Sequence, residues 1–168
     1  MDIYAGRKAS SDSYLYVGYE ALTVTRIQPG TTKILRFDLD AIRYEGILGP
    51  GDFAKDTMGD PYALEPRSAG MYHFSLFVGL AGNNADDIDI TNSYDVRIVR
   101  DDNQQDDYVT IGRGYVPDNG GFCNVTAYSY LGPGKESSVH VQITLNRQAG
   151  EEGRVLADSF LLRISKIQ

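Results

Sequence analysis

In residues 70–80, Tyr72, Phe74, Leu76, Val78 and Leu80 recur at every second position, and no other stretch constrains the fold as strongly. Successive side chains of an extended strand point to opposite sides, so this spacing predicts one wholly apolar face. The opposite face, Met71, His73, Ser75, Phe77 and Gly79, is mixed. A strand of this kind suits a central place in a β-sandwich, apolar side against a second sheet. Pro66 and Gly70 punctuate its start, and Gly82, Asn83 and Asn84 follow its end.

Weaker versions of the pattern fill the rest of the chain. Leu15 and Val17 alternate with Tyr14 and Tyr16, and residues 22–27 form a second short candidate. Pro29-Gly30 marks a turn. Residues 31–38 predict a strand anchored by Ile34 and Phe37, with an irregularity between them that implies a bulge or a turn-over. Residues 42–47 extend it. Residues 46–59, rich in Gly and Asp, predict a surface loop, and residues 62–65 a short strand stopped by Pro66. Residues 82–93 predict a polar loop, 94–100 a strand, 101–107 an acidic turn, 108–112 a strand and 115–121 a turn region. Residues 122–131, 139–145 and 160–164 predict the remaining strands. About ten short strands and no helix make an all-β jelly-roll sandwich the expected class. The expected division is an N-terminal arm or docking strands over residues 1–30 and a jelly-roll domain over residues 31–168.

Charge and composition narrow the function. The net charge of −7 argues against a nucleic-acid groove, which needs a basic face. No apolar run approaches a membrane span and no apolar leader is visible, so no membrane partner and no signal peptide are expected. Cys123 is the only cysteine, which leaves packing alone to hold the chain together. His73 and His140 both fall mid-strand, with no spacing that brings them to one point. No Gly-x-Ser-x-Gly elbow, phosphate loop or activated cysteine is present, so no catalytic residue and no enzyme activity are expected. The acidic runs Asp86, Asp87, Asp89 and Asp101, Asp102, Asp106, Asp107 lack the spacing of a calcium loop. No cofactor is expected, with calcium as the alternative at these runs.

The residues most suited to assembly are Tyr128 and Tyr130. They stand on the face opposite Val125, Ala127 and Leu131. Exposed side by side they would form an apolar patch, and tyrosine is a favoured interface anchor. Tyr72 and Phe77 are weaker candidates for the same contact.

The order of landmarks resembles the globular head of the complement-one-q and tumour-necrosis-factor superfamily. The matching pieces are Phe37, the loop over residues 46–56, and Tyr62-Ala63-Leu64-Glu65-Pro66. Gly70-Met71-Tyr72-His73-Phe74 is similar to the family's Gly-x-Tyr-x-Phe strand. Leu131-Gly132-Pro133-Gly134, the valines at 139 and 141, and Phe160 to Leu162 follow in the family's order, with Leu161 where the family has glycine. The resemblance implies a ten-strand jelly roll that assembles as a tight homotrimer. Domains of this type also occur in bacteriophage virions as head fibres, decoration proteins and tail tips. The implied function is therefore a non-enzymatic virion structural protein, decorating or stabilising a capsid or tail surface and docked through residues 1–30. The alternative is a soluble module of the same fold that binds a receptor protein or a host-surface glycan.

Overall fold

The computed structural model describes residues 14–19, 26–35, 37–45, 53–55, 64–66, 68–81, 93–102, 107–117, 120–133, 137–147, 150 and 152–167. They form twelve strand segments and no α-helix. In chain order these are β1 (Tyr14–Tyr19), β2 (Arg26–Ile27), β3 (Thr32–Ile34), β4 (Phe37–Glu45), β5 (Phe53–Lys55) and β6 (Leu64–Pro66). The second half holds β7 (Gly70–Ala81), β8 (Ser93–Asp102), β9 (Asp107–Pro117), β10 (Gly120–Leu131), β11 (Val139–Leu145) and β12 (Gly153–Lys166).

Two antiparallel sheets face each other. The first runs β10-β7-β12-β1-β4, with β2 also paired to β12. The second runs β5-β6-β11-β8-β9, with β3 also paired to β11. The chain passes back and forth between the sheets, the topology of a jelly roll, as the alternating pattern predicts. β7 lies between β10 and β12, so the strand with the strongest alternation is paired on both edges. β1 lies between β12 and β4, and β2 pairs with β12. Residues 14–19 and 26–27, expected to belong to an N-terminal arm or to docking strands, hydrogen-bond within the first sheet.

The register explains the core. Phe74 pairs with Ala127 on one side and Ile164 on the other, Leu76 with Val125 and Leu162, and Val78 with Cys123 and Phe160. These rows point inward and meet Tyr94, Val96 and Ile98 of β8 and Val139, Val141, Ile143 and Leu145 of β11, all buried. Each aliphatic or aromatic side chain so placed contributes about 1.5–3 kcal/mol through removal from water. Tyr94 reaches across the sandwich and donates its hydroxyl to the Ala81 carbonyl at 2.8 Å. Gly153 makes room for it, since a Cβ there would stand 2.5 Å from the tyrosine oxygen.

Four sequence expectations change. The irregularity in residues 31–38 is a crossing between sheets: β3 pairs with β11 and β4 with β1, and Leu35 at the crossing is fully buried while Ile34 is only half-buried. Part of the loop over 46–59 is β5, which pairs with β6. Asp101 and Asp102 end β8, and β9 continues through Pro117 where a turn region was expected. The reason β9 tolerates its glycines is close packing. A Cβ on Gly112 would lie 2.9 Å from the Ala127 Cβ, and one on Gly114 would lie 2.6 Å from the Cys123 sulfur. Here the two sheets approach closely enough that only a glycine fits.

Candidate functional site

Among the described residues, the outer face of the first sheet carries a group of exposed aromatic side chains. On β10 the outward positions are Phe122, Asn124, Thr126, Tyr128 and Tyr130, alternating with the buried Cys123, Val125, Ala127, Ser129 and Leu131. Phe122 is 64% exposed, Tyr128 65% and Tyr130 59%. Met71 of β7 and Leu161 of β12 are exposed on the same face.

Cross-strand register arranges these side chains into pairs. Tyr128 sits opposite His73, with ring centroids 4.6 Å apart and planes tilted by 32°. Phe122 sits opposite Gly79, which leaves a gap beneath it. The Phe122 ring stacks instead on Phe77, one step along β7, at 5.2 Å and 15°. Tyr130 lies opposite Met71, and Leu161 opposite Phe77. Aromatic pairs of this geometry add about 0.5–1.5 kcal/mol to burial and hold the rings in place before any partner arrives.

Of the four residues singled out from the sequence, Tyr128 and Tyr130 are on this exposed face, and Phe77 is half-buried within it. Tyr72 is not. It is fully buried inside the protomer, donates its hydroxyl to the Ser68 carbonyl at 2.8 Å, and offers no area to a neighbour. The reason is parity: Tyr72 shares the inward side of β7 with Phe74 and Leu76. Phe122, missed by the sequence reading, belongs with the tyrosines. Stepping back by twos from Tyr128 reaches it directly.

The remaining chemistry is dispersed. His73 faces outward on the first sheet and His140 outward on the second, so the sandwich separates them. His140 is buried under the edge of Tyr108, and its Nε2 lies 3.0 Å from the Gln142 side-chain nitrogen. Cys123 is buried against β9, and loss of water pushes its thiol pKa upward, which disfavours the nucleophilic thiolate. Among the described residues, no three His, Cys, Asp or Glu side chains converge on a point that could hold a metal ion. Residues 86–89 and 106, part of the acidic runs, lie outside the described residues.

A second cluster lies on the outer face of the second sheet. Asp95 of β8 is 4% exposed although it points outward. Arg113 of β9 clamps it with both ends of its fork, Nε to Oδ1 at 2.8 Å and Nη2 to Oδ2 at 2.6 Å. The hydrogen bonds to Asp95 raise the guanidinium pKa further, followed in weight by an opposing loss of water and then by the carboxylate's charge. Arg97 stands directly opposite Arg113, its Nε 3.8 Å from the same carboxylate.

No protein-family model matches this sequence, and no curated protein matches it. Solved structures do match. Murine APRIL, crystallised at pH 8.5, is 14% identical and superposes with a TM-score of 0.60 over 92% of this chain and 98% of that one. Eiger TNF from S. frugiperda is 8% identical, with a TM-score of 0.55 over 94% of each chain. The fold is a tumour-necrosis-factor-like jelly roll. The superposition spans nearly the whole chain.

Proposed function

We propose that this protein is a non-enzymatic jelly-roll module that works as a homotrimer, assembled through the outer face of its first sheet. The observation that carries this reading is the set of exposed rings, Phe122, Tyr128 and Tyr130, held by Phe77 and His73 on one sheet face. A patch of this size on a free monomer favours association. It reaches β10, the last strand of its sheet, so a neighbour can cover ring faces and strand edge together. Such a face-and-edge contact joins different surfaces of two copies, and a heterologous contact closes into a ring when its rotation is a whole fraction of a turn. Three copies is the number the family resemblance implies.

Within that frame we assign the trimer a structural role in a virion, on a capsid or tail surface. The docking role expected of residues 1–30 is assigned to their first twelve residues, because residues 14–19 form β1 between β12 and β4 and residues 26–27 pair with β12. Three such segments on one threefold body would bind a symmetric surface with avidity. The tests are the mass in solution and binding to particles. Light scattering should return three chains, and deletion of residues 1–12 should leave the trimer intact while abolishing attachment. A monomer at about 100 μM, where contacts worth even 6 kcal/mol are occupied, overturns the assembly. A shortened chain that still decorates particles overturns the docking role.

A second reading, a receptor- or glycan-binding module, is supported by the fold shared with Eiger TNF and murine APRIL. A purely architectural protein would bind nothing on a glycan array.

A further inference from the structure

The Asp95 cluster has more positive charge than its internal partner neutralises. Arg97 and Arg113 are directly paired across β8 and β9, a placement that sets like charges side by side and is destabilising by itself. One carboxylate serves both. It is spent on Arg113, whose two hydrogen bonds take both of its oxygens. Arg97 keeps a single 3.3 Å bond to the Thr144 hydroxyl, and among the described residues its buried Nε has no hydrogen-bond partner. An unfilled guanidinium donor held beside a second guanidinium is an uncompleted anion site.

The surroundings indicate which anion. Arg113 lies over the Tyr115 ring at 5.0 Å from its centre, and that ring is exposed on the sheet face. Thr32 and Thr144 share a hydroxyl–hydroxyl bond of 2.6 Å at the rim. The side chains of Arg97 and Arg113 are 27% and 50% exposed, so a ligand on the sheet face meets the outer part of both guanidiniums, while Arg97 Nε itself is buried beneath them. Fixed guanidiniums, a flat ring and hydroxyl groups on an open sheet face fit a ring-shaped, hydroxylated ligand with one carboxylate. The chain as a whole carries a charge of −7, so the paired guanidiniums stand against an acidic background.

We propose that the outer face of the second sheet binds an acidic sugar, its carboxylate received by Arg97 and Arg113 and its ring set against Tyr115. The site deepens the glycan-binding reading and rests on it, but not on trimer assembly, because it lies on the sheet opposite the aromatic face. A monomeric protein that bound acidic sugars would therefore overturn the trimer and keep this site.

The test is a titration of the full-length, isotope-labelled protein followed by amide resonances. The probes are a sialic-acid-terminated trisaccharide, its neutral counterpart, glucuronic acid, sodium acetate and an acidic peptide. Acidic sugars should shift Arg97, Arg113 and Tyr115, with an affinity that falls as salt rises, while the neutral counterpart leaves them in place. Arg97→Gln should weaken binding by about tenfold or more at an unchanged melting temperature, since a hydrogen bond to a charged group is lost. Asp95→Asn should strengthen it, because the internal competitor becomes neutral; a folded Asp95→Asn protein with weaker binding overturns the proposal. So does an Arg97→Gln protein that binds as tightly as the parent. Shifts from acetate and the peptide equal to those from the sugars overturn the assignment to sugars, and the absence of any shift at these residues overturns the site.

Discussion

Replacing Tyr128 and Tyr130 together by serine should dissolve the proposed trimer and leave the protomer folded. The two rings are 65% and 59% exposed in the single chain. A tyrosine presents about 200 Å² in all, so together they hold roughly 250 Å² that a neighbour can cover. At about 25 cal/mol per Å² that area corresponds to roughly 6 kcal/mol if wholly buried and wholly apolar. Their hydroxyls are polar and interface rims stay wet, so about half of this, ~3 kcal/mol per protomer, is the working figure. A closed trimer has three copies of the contact, so the association constant should fall by about six orders of magnitude. Protomer stability should change far less, because the rings contribute little to the core and lose only the Tyr128–His73 contact, worth about 1 kcal/mol. Light scattering across a dilution series reads the first quantity and thermal unfolding the second. A double variant that remains trimeric at low micromolar concentration would show that the contact lies elsewhere. One that is monomeric but unfolded would show that these rings belong to the protomer's own core.

Three further outcomes follow from packing and charge. Gly114→Ala should destabilise by about 1–3 kcal/mol, because the new methyl meets the Cys123 sulfur, and Cys123→Ala in the same chain should recover part of that loss in a denaturant melt. Leu76→Ala, a fully buried position paired with Val125 and Leu162, should cost about 2–5 kcal/mol and leave the oligomer mass unchanged. The Cys123 thiol is raised by burial, so its contribution to stability is complete below the ionisation range of a free thiol, about pH 8.5. Above that range the unfolded chain releases the proton first, and stability should decline with pH until the folded thiol also ionises. Cys123→Val should remove that alkaline decline in a series of melts from pH 7 to pH 10.

The strands that could be read in advance are those in which one side faces the core and the other does not. β7 and β10 alternate cleanly because inward and outward demands differ at every step. β11 was readable for its inward residues, but His140 and Gln142 on its outer side are also buried, under Tyr108 and beside each other. A polar residue in a strand suggests water, and only the tertiary neighbour changes that. In sequence β9 looks shorter than it is because Gly112, Gly114 and Pro117 carry turn signals. What those glycines answer to is β10 across the sandwich, fifteen residues or fewer away in sequence and invisible to local pattern. The crossing between β3 and β4 shows in sequence only as a broken period at Ile34 and Phe37, because a change of sheet is set by pairing with β11 and β1. Of the aromatic face, Tyr128 and Tyr130 were legible from adjacency on one side of a strand. Tyr72 has the residue type of an interface anchor but the parity of a core position, and parity decides its burial. The Asp95 cluster was not legible at all, since Arg97 and Arg113 become neighbours only through strand pairing.

Gly112 stands behind Val125 and Ala127 of β10 and Gly114 behind Cys123 and Val125, on the inner side of the strand that presents Phe122 and the tyrosines. With two hydrogens where other residues have side chains, the end of one sheet settles onto the end of the other. The tilt of the outer surface is therefore governed by matter that is missing from its back. An alanine at either place would act as a shim, rotating the rings relative to whatever meets them while leaving every ring in the sequence. Loss of quaternary fit could then arise from a change that never touches a neighbouring molecule.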